Sequence, residues 1–147
     1  MYTKILVALD ASASDASLLP HVAELAKIHG SQLLLVHVAD GWVARNYDKL
    51  DLAESEEMKA DRAYLEATAE KLRAVGLHVR TILALGDPPT EVLKAAESER
   101  CDLIAMTTHG HRLLGDIFFG NTIEKVRHSS LIPLLIVRSS VKPAPID

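Results

Sequence analysis

A single cysteine, Cys101, stands in the 147-residue sequence, so no internal disulfide framework is available to it. Its place at the start of an apolar run reads as a small buried side chain rather than a reactive thiol, and a reducing cytoplasm is the expected compartment. No stretch approaches the ~20 apolar residues that span a bilayer, and no basic, then apolar segment precedes the first strand, so a soluble, non-exported protein is expected. A concentrated basic face is also missing. With a formal net charge of −4 and interleaved charges, a general nucleic-acid surface is excluded. Glycine is absent where a dinucleotide loop needs it: Leu9 is followed by Asp10-Ala-Ser-Ala-Ser14. Gly110-x4-Gly115 has P-loop glycine spacing, but Asp116-Ile117 stands where that motif needs Lys and Ser or Thr. No Ser/His/Asp order, Cys/His pair or loop lysine supplies a nucleophile or neutralises a transferred phosphoryl group, which disfavours dedicated catalysis. Linkers, internal repeats and low-complexity segments are lacking as well.

What is present is an alternation of short apolar runs with longer amphipathic ones, the pattern of a parallel sheet covered by helices. A chain of 16.0 kDa is one domain long, 1–147, and buries about two-thirds of the surface its unfolded form exposes. Strands are expected near 4–9, 31–38, 78–85, 102–107 and 133–138. Helical spacing of Leu18, Val22, Leu25 and Ala26 marks a helix over 15–29, and that of Met58, Leu65, Ala69, Leu72 and Val75 another over 53–75. Gly30 and Gly76 follow as C-terminal stops, and Pro88-Pro89 opens a third helix through Ala96 or Glu99. Pro20 implies that the first helix starts late, capped by Ser17, or bends. Residues 39–52 show no clean period and read as a mobile loop, and 141–147 as a frayed tail.

The stretch Cys101–Arg138 carries the chemistry. An apolar strand ending at Thr107-Thr108 runs into a glycine-bracketed loop, and Gly120-Asn121-Thr122 opens the helical run Ile123–His128. Gly110 and Gly120 are separated by nine residues. A backbone wrapped closely round a polyphosphate needs glycine where a Cβ would collide, and the free N–H groups of a helix start attract negative charge. The plainer readings are a turn glycine at Gly110 and an Asn or Thr helix cap. Asp10, ending the first strand, either caps its own turn or contacts a ligand. Arg112 is a loop cation or a solvated one. His109, His111 and His37 lack the further ligand that a tetrahedral zinc site requires.

Thr107-x2-Gly110-x9-Gly120-Asn121 resembles the loop of the universal stress protein family, whose ATP-binding members carry Gly-x2-Gly-x9-Gly-Ser/Thr; Thr107 stands in place of the first glycine and Asn121 in place of the hydroxyl residue. Lys4–Asp10, Leu33–Val38, Cys101–Met106 and Ile132–Arg138 resemble that family's first, second, fourth and fifth strands. The resemblance implies an α/β fold, an open five-stranded parallel sheet with helices on both faces and strand order 3-2-1-4-5, Rossmann-like and similar to the adenine nucleotide alpha hydrolases. Strands 1 and 4 then flank the switch point, where such sheets bind ligands. It further implies ATP, with Mg2+, held by Ala8, Asp10, Val38, Met106, Thr107, Gly110, Gly120, Asn121 and Thr122. Asp10 takes the ribose or adenosine end, the Val38 backbone the adenine edge, and Gly110 with Gly120–Thr122 the phosphates. The implied role is an ATP-binding regulatory protein of the stress response with at most slow hydrolysis, forming a homodimer through the last strand. Thr107 favours a second reading, a dimeric stress-linked binding module that has lost the nucleotide. A third, an adenylating enzyme or ATP pyrophosphatase of similar topology, lacks its Ser-Gly-Gly-rich loop after strand 1.

Overall fold

Alternate residues of the apolar strands divide between two separate cores, because successive side chains of a strand point to opposite faces. The computed structural model describes residues 1–39, 56–108 and 115–140, with 115–121 as backbone only. The order is β1 (Lys4–Ala8), α1 (Asp15–His29), β2 (Gln32–Ala39), α2 (Glu56–Ala74), β3 (His78–Leu85), α3 (Pro88–Ser98), β4 (Leu103–Thr107), α4 (Gly115–Ser129) and β5 (Leu134–Val137). The sheet has the order β3-β2-β1-β4-β5, with every pair parallel.

On one face Ile5, Val7, Leu33, Leu35, Leu103 and Ala105 pack against Leu18, Val22 and Ala26 of α1 and Leu65, Ala69 and Leu72 of α2. On the other, Leu6, Ala8, Leu34, Val36, Ile104 and Met106 meet Val92, Ala95 and Ala96 of α3 and Val126 of α4. A fully buried leucine or isoleucine contributes roughly 1.5–3 kcal/mol relative to an exposed one, so the near-continuous apolar strands fix the register from both sides. Cys101 is buried beside the second core, and burial pushes its thiol up to about 11. The thiol therefore stays protonated at neutral pH and is poorly suited to nucleophilic attack.

The expected elements are found within three residues of their boundaries, with two differences. α1 neither starts late nor is capped by Ser17. It runs from Asp15 through Pro20, and its first turn is tightened by three-residue bonds from Asp15, Ala16 and Ser17 N–H to the carbonyls of Ser12, Ala13 and Ser14. Ala16 and Pro20 are both exposed, so the carbonyl that proline leaves without its helical donor can be solvated. α4 begins at Gly115, five residues before the expected opening at Gly120. At the other ends the glycine stops hold: Gly30 adopts φ 65° and its N–H bonds Ala26 O, and Gly76 adopts φ 90°. Such left-handed values suit glycine because it has no Cβ. The expected loop 39–52, beyond Ala39, and the tail 141–147 lie outside the described residues.

Candidate functional site

β1 and β4 pair only from Ile5–Leu103 to Val7–Ala105. Beyond that point Ala8 stays paired with Val36 of β2, while Met106 and Thr107 pair with Ile136 and Val137 of β5. The two central strands therefore part at their carboxyl ends, which is the opening where open parallel sheets take ligands. Ala8, Asp10, Met106 and Thr107 come together at this opening, all buried. Val38 lies across β1 on β2, half-buried against the second core. Thr122 is buried in α4. Gly110 and the neighbouring His109, His111 and Arg112 lie outside the described residues.

Gly120 and Asn121 do not open a helix. They stand in the second turn of α4, where regular bonding takes up each N–H with the carbonyl four residues back. The N–H groups left without a partner inside that helix belong to its first four residues, Gly115–Phe118. The cap reading of Asn121 and Thr122 placed the boundary late because Gly120 resembles a break, yet an interior glycine costs only about 1 kcal/mol relative to alanine.

Asp10 accepts a 2.7 Å bond from Ser12 Oγ through Oδ2. The turn that carries it is unusual. Ala11 holds φ 57°, a left-handed conformation rare for a residue with a Cβ. Asp15, in the first turn of α1, accepts the N–H of Asp10 at Oδ1 and of Ala11 at Oδ2, both at 2.9 Å. The successive amides of this bend are thus occupied by an internal carboxylate, which closes the bend to phosphate. Tyr64 OH of α2 donates to Asp15 Oδ2 at 2.7 Å. Burial raises the Asp15 carboxyl above its ordinary value, although the Asp10 amide and Tyr64 hydroxyl pull the other way. Tyr64 is raised well above its usual range, first by burial and then by that bond and the Asp15 charge.

One residue earlier, Leu9 O meets His37 Nδ1 at 2.9 Å, and His37 Nε2 lies 3.3 Å from Asp61 Oδ2. Because a carbonyl only accepts, Nδ1 must be the protonated donor. The Asp61 contact is close enough for an ion pair but off the hydrogen-bond axis. Thr107 Oγ1 is buried and has no hydrogen-bond partner among the described residues. By strand alternation its side chain shares the face of Leu103 and Ala105, the α1 side.

Sequence reasoning singled out Asp10 and placed His37 near this edge, but it missed Asp15, Asp61 and Tyr64. A signal existed for Asp61: Met58, Asp61, Leu65, Thr68 and Leu72 form one buried stripe on α2, so an acidic residue occupies a position that helical spacing reserves for the core. His37 serves this internal contact, and the described residues contain no group of three His, Cys, Asp or Glu arranged to hold a metal ion.

Comparison with known proteins agrees with this architecture. The universal stress protein family model matches residues 1–138. Universal stress protein YxiE of Bacillus subtilis is 31% identical, over 94% of this chain and 100% of its own. The solved structure of MJ0577 from Methanocaldococcus jannaschii superimposes with a TM-score of 0.80 at 30% identity, covering 97% of this chain and 99% of the other. A universal stress protein from Archaeoglobus fulgidus, solved in complex with dAMP, has the same fold at 20% identity and a TM-score of 0.69, covering 92% and 98%. The sheet order, the parting of β1 from β4 and the extent of these matches lead to one conclusion: the chain belongs to the universal stress protein family.

Proposed function

We propose that this protein binds an adenine nucleotide, ATP with Mg2+, at the opening between β1 and β4. In this reading it is a cytoplasmic regulatory protein of the stress response, whose conformation or choice of partner follows the bound nucleotide, with at most slow hydrolysis. The observation that carries the reading is Asp10, a buried carboxylate just past the carboxyl end of β1, where β1 parts from β4. The relative solved with dAMP supports the same ligand class.

The residues fit the adenosine end. Asp10 supplies an acceptor for ribose hydroxyls, or a carboxylate for magnesium, which favours one or two carboxylates plus phosphate oxygens. The Val38 backbone supplies the adenine edge, and Ala8 and Met106 supply apolar walls. At the phosphate end, the fit as the helix stands is with the N–H groups of Gly115–Phe118; Gly110, outside the described residues, keeps its proposed phosphate role from the family loop alone. Gly120, Asn121 and Thr122 take phosphate only if the first turn of α4 unwinds on binding. No step of chemistry is assigned to any of these residues; they bind and orient.

Melting with added ATP and Mg2+ tests the reading. Ligand at a hundredfold excess over its Kd stabilises a protein by about 2.7 kcal/mol. A clear rise in Tm, reduced by Asp10→Ala without loss of fold, is the expected result; Gly120→Val reduces it as well only if the first turn of α4 unwinds on binding. An unmoved Tm at millimolar ATP supports the second reading, a stress-linked dimeric module without nucleotide. Two observations favour that alternative: α4 runs unbroken through Gly120 and Asn121, and Thr107 stands where ATP-binding members carry glycine.

In either reading we propose a homodimer through β5. Among the described residues this strand pairs only with β4, leaving there an open edge able to pair with its copy, and Leu134, Leu135 and Ile136 along it are only half-buried. A dimer by light scattering is the expected result, and a monomer overturns the proposal. No helix among the described residues is long and apolar enough to cross a membrane.

A further inference from the structure

Three consecutive backbone groups at the end of β1 are gripped by His37 and Asp15, each of which is in turn met by a side chain of α2. Leu9 O is bonded by His37, whose other ring nitrogen contacts Asp61. The N–H groups of Asp10 and Ala11 are held by Asp15, whose carboxylate is held by Tyr64. Asp61 and Tyr64 are three residues apart and so lie on one face of α2. Asp15, His37 and Asp61 are 1%, 5% and 5% exposed, so water does not loosen these contacts. Between them lies Ala11 at φ 57°, a conformation that persists only where its surroundings over-determine it. The turn carrying Asp10 is therefore set in part by contacts that lead to α2.

From this geometry we infer that Asp61 and Tyr64 are positioning residues for the ligand site. Acting through His37 and Asp15, they fix the Leu9–Ala11 backbone and so the aim of the Asp10 carboxylate. The inference rests on the nucleotide reading for its consequence, though not for its geometry. Because coupling between sites is reciprocal, it also makes α2 the element that registers a ligand on Asp10. The helix and the turn are joined through the Tyr64–Asp15 hydrogen bond and the close Asp61–His37 contact, while Leu65, Ala69 and Leu72 pack α2 on the core and Arg73 and Glu66 tie it to β3.

The test uses Tyr64→Phe, which removes one hydroxyl, and Asp61→Asn, which keeps the shape of its side chain. Amide spectra of the uniformly 15N-labelled full-length protein are expected to show the Asp10 and Ala11 N–H resonances shifting, and exchanging faster, in Tyr64→Phe, and the Asp10 resonance shifting in Asp61→Asn. Unmoved resonances in both variants overturn the inference whether or not any nucleotide binds. Titration with ATP and Mg2+ provides the second readout. Tyr64→Phe is expected to weaken binding about tenfold in the native background and to have no effect in an Asp10→Ala background, the non-additivity of residues acting through one group. Equal losses in both backgrounds overturn the positioning role. If the native protein binds no ATP while the amides still respond, the nucleotide reading fails and the control of the turn by α2 stands.

Discussion

The two ends of the sheet treat polar groups in opposite ways. At the amino end Asp102 accepts Thr3 N–H and Lys4 N–H at 2.8 and 3.1 Å and Thr3 Oγ1 at 2.8 Å. Lys4 Nζ reaches Glu99 O, and Arg80 meets the Glu99 carboxylate at 2.8 Å. These groups are partly exposed and each of these contacts joins a donor to an acceptor. At the carboxyl end Asp10, Asp15, His37, Asp61 and Thr107 are buried, one hydroxyl has no partner among the described residues and one carboxyl is raised by desolvation. A fold built only for stability has no use for the second arrangement, since unpaired buried polar groups cost about 1–3 kcal/mol each. Local departures of this kind gather where a protein binds something.

Removing the central group at each end gives the largest expected effects. Asp15→Ala leaves two buried amides without an acceptor and is expected to cost about 3 kcal/mol, read as a lower urea midpoint at unchanged m. Asp102→Asn weakens bonds to a charged acceptor at a half-buried site and is expected to cost about 1.5 kcal/mol at pH 7. Acid separates the two ends by sign. Burial raises the Asp102 carboxyl, but the Thr3 and Lys4 amides and the Thr3 hydroxyl outweigh it and hold the group below its ordinary value. Its stabilisation is present above the unfolded value of about 3.9 and is lost as pH falls through the folded one. Asp15, raised on folding, behaves in reverse: its contribution is full below about 3.9 and is lost as pH rises through its folded value. Midpoints measured from pH 7 to pH 3 are expected to show the deficit of Asp102→Asn closing and that of Asp15→Asn widening. Parallel curves would erase the distinction between the two ends.

The strands and helices that build both cores were legible in the sequence because they rest on period and apolarity, whereas the polar contacts of Asp102 and Glu99 at the amino end were not. Strand β3 was expected over 78–85 and found there, and α1 over 15–29 likewise. The site was legible only where an isolated residue type carries meaning, as Asp10 does after a run of aliphatic residues. The start of α4 was missed because local propensity sees Gly120 as a break while a helix tolerates it within a turn. The grip of α2 on the Asp10 turn was missed for a different reason. It joins Asp15 to Tyr64 and His37 to Asp61 across 49 and 24 positions, and no spacing rule reaches that far.

A single substitution made at both ends sharpens the contrast at a smaller scale. Thr3→Val deletes a hydroxyl bonded to a carboxylate and is expected to cost about 1 kcal/mol. Thr107→Val deletes a buried hydroxyl that has no partner among the described residues and is expected to be neutral, or to stabilise by up to about 1 kcal/mol, since an apolar isostere relieves an unmet group. Thermal or urea unfolding distinguishes them. A loss at Thr107 matching that at Thr3 would mean that the hydroxyl is satisfied and that this end is less frustrated than its geometry indicates.

The smallest effect concerns the backbone itself. Among the described residues each end of the sheet has one non-glycine residue in the left-handed region, Ala11 at φ 57° and Arg100 at φ 56°. A Cβ there costs roughly 1–2 kcal/mol, part of which glycine gives back through its more disordered unfolded state, so Ala11→Gly and Arg100→Gly are each expected to gain about 0.5 kcal/mol. The stability gains should match, but their consequences for the ligand should differ. Arg100 follows α3 far from the opening, whereas Ala11 adjoins Asp10, and freeing its φ loosens the turn that aims the carboxylate. Ala11→Gly is therefore expected to bind ATP more weakly than the native protein while melting higher, and Arg100→Gly to melt higher with affinity unchanged. If both variants bind as the native chain does, the left-handed alanine is an accident of the chain path and not part of the site.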